Sequence, residues 1–122
     1  MDRVAEDLKV RMKEFAVKVL EFVETLPKGP GGEAVAKQLA RAGLGVVGNY
    51  HSSCRARSHA EFTARLGIVL DEADESELWT EVTEDRGWGD PQRRAWLLDE
   101  SRQLRAIFSK GVMTAKFREH HR

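Results

Sequence analysis

Cysteine occurs once in this sequence, at Cys54, so no disulfide can close within the chain. That fits a reducing compartment. Charge of one sign is not in excess. Twenty Lys and Arg residues balance twenty Asp and Glu, which removes any whole-chain attraction to nucleic acid or to a membrane surface. No stretch approaches the ~20 apolar residues needed to cross a bilayer. The opening MDRVAEDLKVR is charged from its second residue and has no apolar core of signal-peptide length. We expect a soluble, cytoplasmic protein with no membrane contact. Aromatics are sparse at 7%, while charged residues reach 33%. With abundant Ala and Leu, that balance favours helices over a sandwich or barrel. A length of 122 residues predicts one domain, spanning residues 1–122.

What is present is helical periodicity. Leu8, Met12, Phe15, Val19, Phe22 and Leu26 alternate steps of four and three, which predicts a first helix over about 2–26. Asp2 is its expected cap, and Pro27 ends it. Residues 28–32, KGPGG, read as a loop. A phosphate-binding loop would end in Gly-Lys-Ser/Thr, whereas these glycines run into the acid Glu33. The second helix is expected over about 33–57. Ser58 and Glu61 form a capping box before Phe62 and Leu66, starting a third helix over about 60–85. Its inner face is expected to be Phe62, Leu66, Val69, Ala73 and Ser76, with Ile68, Trp79 and Val82 alongside, and its outer face the acidic run DEADESE at 71–77. Asp90 followed by Pro91 starts a fourth helix over about 91–117, burying Leu97, Leu104, Ile107, Phe108 and Ala115, with REHHR fraying. Four long amphipathic helices with short connections predict an all-α, antiparallel up-down-up-down four-helix bundle.

The second helix is unusual. It carries Gly43, Gly45 and Gly48, each costing a helix interior roughly 1 kcal/mol relative to Ala. Close approach of another backbone is the expected offset, either within the chain or at a subunit seam. Asn49 and Tyr50 follow directly, and Asn49 among apolar positions is expected to need buried partners and to set register.

Chemistry-bearing residues are scattered. His51 and Cys54 share a face, but two ligands are too few for a closed zinc site. His120 and His121 lie in the tail. Glu72 and Glu75 lack the Glu-x-x-His partner of a di-metal helix. Ser52, Ser53 and Ser58 lack a histidine base with an orienting acid. We expect no enzymatic activity, metal or cofactor. Charge is uneven, however. Residues 60–90 hold ten acids against two bases, a net of −8, and residues 91–122 hold eight bases against three acids, a net of +5. At ~100° per residue Arg94, Arg102, Arg105 and Lys116 fall within an arc of roughly 80° on the fourth helix. This stripe is the candidate contact for RNA or DNA. The competing reading pairs these side chains with the acidic third helix or a neighbouring subunit, leaving a scaffold for a protein partner.

The pieces QLARA, GNY, the Ser58–Glu61–Phe62 corner and LGIVLDEADES-LW resemble a known family over residues 38–79. LKVRMKEFAVKV, LPK and LRAIFSKGV extend the likeness to nearly the whole chain. The sequence is similar to bacterial four-helix bundle proteins encoded within intervening sequences of 23S rRNA genes. That resemblance implies a left-handed bundle, a cyclic homopentamer, no enzymatic activity and a nucleic-acid link. A more distant branch of such bundles serves diversity-generating retroelements, contacting a reverse transcriptase and RNA. The family has an acid where this chain has Ser52, and often a small hydroxyl residue where it has Gly45. In the family pattern that acid would pair with the residue that here is Arg41. The change leaves Arg41 open to a carboxylate from another helix or subunit, Glu61 being one option.

Overall fold

The computed structural model describes residues 3–121. The expected Asp2 cap lies outside them. Four helices follow in order: α1 (Arg3–Val23), α2 (Pro30–Cys54), α3 (His59–Arg86) and α4 (Pro91–His120). No strand occurs among the described residues. Each helix packs on the next, and α4 closes back on α1, giving a four-helix bundle around one core. Between α2 and α3 the contacts step in opposite senses. Gly45 of α2 lies against Glu72 of α3, whereas the earlier Arg41 reaches the later Glu75.

The helix ends follow from local chemistry and correct several expected boundaries. α1 stops at Val23, short of the expected Leu26. Thr25 and Leu26 make the tighter i→i−3 bonds to Phe22 and Val23 before Pro27. α2 begins at Pro30 inside the expected loop, because a proline ring is preset for the first helical position and its missing N–H costs nothing there. It ends at Cys54 instead of Arg57. α3 starts on Ser58, whose hydroxyl accepts from the Glu61 N–H at 3.0 Å. It ends on Gly87, whose φ of 66° is left-handed and lets the Trp88 N–H reach back to Thr83 O at 2.9 Å. α4 is capped by Asp90, which accepts from the Arg93 N–H at 2.8 Å. It continues through Arg118–His120, which the sequence reading assigned to a fraying tail. Replacing Ser58 by alanine should destabilise the fold by about 1 kcal/mol, the usual cost of an N-cap. Urea unfolding followed by circular dichroism measures it, and an unchanged midpoint would contradict the capping assignment.

The core contains the expected α1 row of Met12, Phe15, Val19 and Phe22. Leu39, Val46 and Tyr50 meet it from α2, Leu66, Val69 and Ala73 from α3, and Leu97, Leu104 and Phe108 from α4. Two expectations for the inner faces need correction. Ile68 is exposed at 42%, and Val82 and Ile107 are only half-buried. The buried places include hydroxyl residues instead: Thr80 and Thr83 on α3 and Ser101 on α4, joining the expected Ser76. Each hydroxyl donates to a carbonyl of its own helix three or four residues back, so none is left unsatisfied.

Candidate functional site

The three helix-interior glycines of α2 have different surroundings. A Cβ on Gly43 would meet Val19 of α1 at 2.8–3.0 Å, so this glycine lets α1 and α2 approach. A Cβ on Gly45 would meet the Glu72 carboxylate at 2.2 Å, so this one makes room for an acid of α3. Around Gly48 nothing lies within 4 Å. Asn49 is half-buried, and its Nδ2 donates to Gly45 O at 2.8 Å. That bond is internal to α2, so it does not supply the cross-helix register role expected for Asn49. Tyr50 is buried, with its hydroxyl 3.5 Å from Ala5 O and its ring 5.6 Å from that of Phe108.

Arg41 takes carboxylates from another helix, as its open position suggested, but not the expected Glu61. It is hydrogen-bonded to Glu75 and lies 3.6 Å from Glu72. Burial raises the Glu72 pKa, and attraction to Arg41 only partly opposes that. Glu61 faces the other way. It accepts from the Arg57 backbone N–H at 3.1 Å and from Arg65 Nε at 3.3 Å. The Arg57 bond, followed by that of Arg65, holds the Glu61 carboxyl below its usual range.

The α4 stripe is only partly available. Arg105 Nε donates to Glu77 Oε1 at 2.6 Å and Arg102 Nε donates to Glu77 Oε2 at 3.1 Å. Arg102 also reaches Glu81 at 3.3 Å. Burial alone would raise the Glu77 pKa, but the bonds from Arg105 and Arg102 outweigh it and the net shift is downward. Arg94 is half-buried and donates to Trp88 O at 2.8 Å. Lys116 is exposed and forms no ion pair among the described residues. Trp88 packs over the bundle end, under Arg86 at 5.0 Å and against Gly31.

A second basic surface escaped the sequence reading. At the α2–α3 corner, Gly48, His51 and Ser52 join Arg55 and Arg57 of the connection and Glu61 and Arg65 of α3 around an open concavity of 540 Å³. The signal was present as two arginines two apart, but only the corner brings Arg65 to them. A separate apolar cleft of 450 Å³ lies between Ala5, Tyr50, Phe62 and Phe108. No three His, Cys, Asp or Glu side chains among the described residues converge on a point that would hold a metal ion. No described helix is long and apolar enough to cross a membrane.

Neither a family profile nor a curated protein matches the chain. Among solved structures, the chain is similar to a protein of unknown function from the S23 ribosomal protein family of Bacteroides thetaiotaomicron. The two are 22% identical and superpose with a TM-score of 0.77, covering 89% of this chain and 97% of that one. At this identity the likeness speaks for the four-helix fold.

Proposed function

We propose that this chain is a non-catalytic bundle that assembles with copies of itself and presents its surfaces to a partner in the cytoplasm. The observation that carries this reading is a second apolar row on α1. Val10, Val17 and Leu20 are exposed at 68%, 48% and 39%. At ~100° per residue they share an arc of about 80° on the side away from the core row. A helix that is apolar on two faces has a second face to cover. Trp96 stands beside this row, in a groove with Glu14 and Lys18 between α1 and α4. Aromatic side chains of this kind are enriched where proteins meet.

The finer arrangement we propose is an antiparallel up-down-up-down bundle with a left-handed twist, assembled as a ring. The short connections and the opposite-sense contacts support the antiparallel order. The twist and a count of five subunits rest on the resemblance in sequence. Light scattering on the purified chain should give several subunits, and a stable monomer would sink the proposal. Val10→Glu with Val17→Glu should reduce the count to one while the far-ultraviolet spectrum stays helical.

A second reading places RNA or DNA on α4. It is favoured by Lys116, which has no acidic partner among the described residues, and by Arg102 and Arg105, whose side chains stay 48% and 43% exposed beside Glu77. Filter binding of structured RNA across a salt series tests it. Lack of salt-dependent retention would remove it.

A further inference from the structure

Elsewhere on this fold five arginines hold acids across helix pairs, while Arg86 and Arg94 are taken up by the ring and the carbonyl of Trp88. Arg11 is bonded to both oxygens of Glu100 at 2.8 Å, Arg93 reaches Glu21 at 3.0 Å, and Arg41, Arg102 and Arg105 hold their acids across helix pairs. At the α2–α3 corner this balance fails. Three arginines, Arg55, Arg57 and Arg65, surround one carboxylate, Glu61. That carboxylate already accepts from the Arg57 backbone and from Arg65. Arg55 is exposed and pairs with no acid among the described residues. The floor between them is open, since a Cβ on Gly48 would meet nothing within 4 Å.

We infer that this corner binds the phosphodiester backbone of a nucleic acid. Three guanidinium groups against one carboxylate leave two positive charges at the rim of one concavity. Guanidinium forks match phosphate oxygens in a way that ammonium groups do not. The first turn of α3 opens at the same corner, and the positive end of its dipole adds to the field. No Phe, Tyr or Trp lines the concavity, so there is no platform for stacked bases. Recognition here is therefore of backbone charge. It is independent of base sequence and weakens as salt rises. The corner lies on α2 and the start of α3, apart from the α4 stripe, and its charge needs no subunit contact.

The test is fluorescence anisotropy of a labelled RNA hairpin titrated with the full chain from low to physiological potassium chloride. Wild type should bind with an affinity that falls steeply with salt. Arg55→Glu should weaken binding by roughly tenfold or more at low salt and flatten the salt dependence by about the slope of one phosphate contact or more. Ser52→Glu, which adds an acid to the floor, should do the same. Arg118→Glu makes an equal charge change on exposed α4 and is the control. Circular dichroism and light scattering on each variant separate a lost contact from lost folding or assembly. Equal weakening by Arg55→Glu and Arg118→Glu would overturn the inference. So would retention of inorganic phosphate by wild type with no affinity for the hairpin.

Discussion

Gly43→Leu should lower the thermal midpoint by roughly 10 °C and break the α1–α2 seam. A Cβ alone would lie 2.8, 2.9 and 3.0 Å from three carbons of Val19, and Val19 is fully buried. Neither side chain has room to turn aside. Overpacking of this kind costs about 1–3 kcal/mol, and a leucine brings three more carbons beyond Cβ. The helix-propensity gain over glycine, about 1 kcal/mol, offsets only part of that. For a domain of this size each kcal/mol moves the midpoint by a few degrees. Gly31→Leu is the informative comparison. Its Cβ would touch the Trp88 ring edge at 3.1 Å, and Trp88 is only half-buried, in the α3–α4 turn where it can shift. Gly48→Leu faces open space and should hold or raise the midpoint of the monomer. Melting curves of the three variants decide the matter, and equal midpoints for Gly43→Leu and Gly31→Leu would refute the seam.

These glycines mark both what the sequence makes legible and where legibility ends. A three-glycine helix announces the close approach of another backbone, and at Gly43 what comes close is the Val19 side chain. It does not say that Gly45 accommodates a carboxylate or that Gly48 meets nothing. Nor does it single out Gly32, where a Cβ would lie 2.0 Å from the Pro27 carbonyl oxygen. That contact depends on how the α1–α2 connection folds back, which no helical period encodes. The four helices were legible because apolar residues repeat at helical spacing and the turns carry Pro, Gly and capping residues. The inner faces of α3 and α4 were less so. Thr80, Thr83 and Ser101 look like surface residues in sequence, yet they are buried because each hydroxyl bonds its own backbone. Ile68 looks like core and is exposed. The arc of arginines on α4 is visible in the sequence, but its acceptor hides among acids that read as the outer face of α3. Glu77 is one of those acids and is nearly buried.

Glu77→Gln therefore tests stability and surface charge together. The wild-type carboxylate accepts from Arg102 and Arg105 at once, and its pKa is lowered because those bonds outweigh burial. A carboxyl whose folded pKa is depressed stabilises the fold above its unfolded value of about 4.3. That contribution is lost as pH falls through the folded value. At pH 7 the variant should melt lower by roughly 4 °C. The gap should stay constant down to about pH 5, narrow below the unfolded value, and close as the wild-type carboxyl takes up its proton at lower pH. A gap that persists unchanged at pH 3 would mean that the glutamine fails for reasons of packing, not charge. The same substitution frees both guanidinium groups from their common acid. If α4 is a nucleic-acid surface held in check by α3, Glu77→Gln should bind an RNA hairpin more tightly than wild type and with a steeper salt dependence. If the arginines serve only to join α3 to α4, stability falls and RNA affinity does not change. Pairing the variant with Arg55→Glu then separates the two basic surfaces, because loss at the α2–α3 corner and gain on α4 act on the same hairpin in opposite directions.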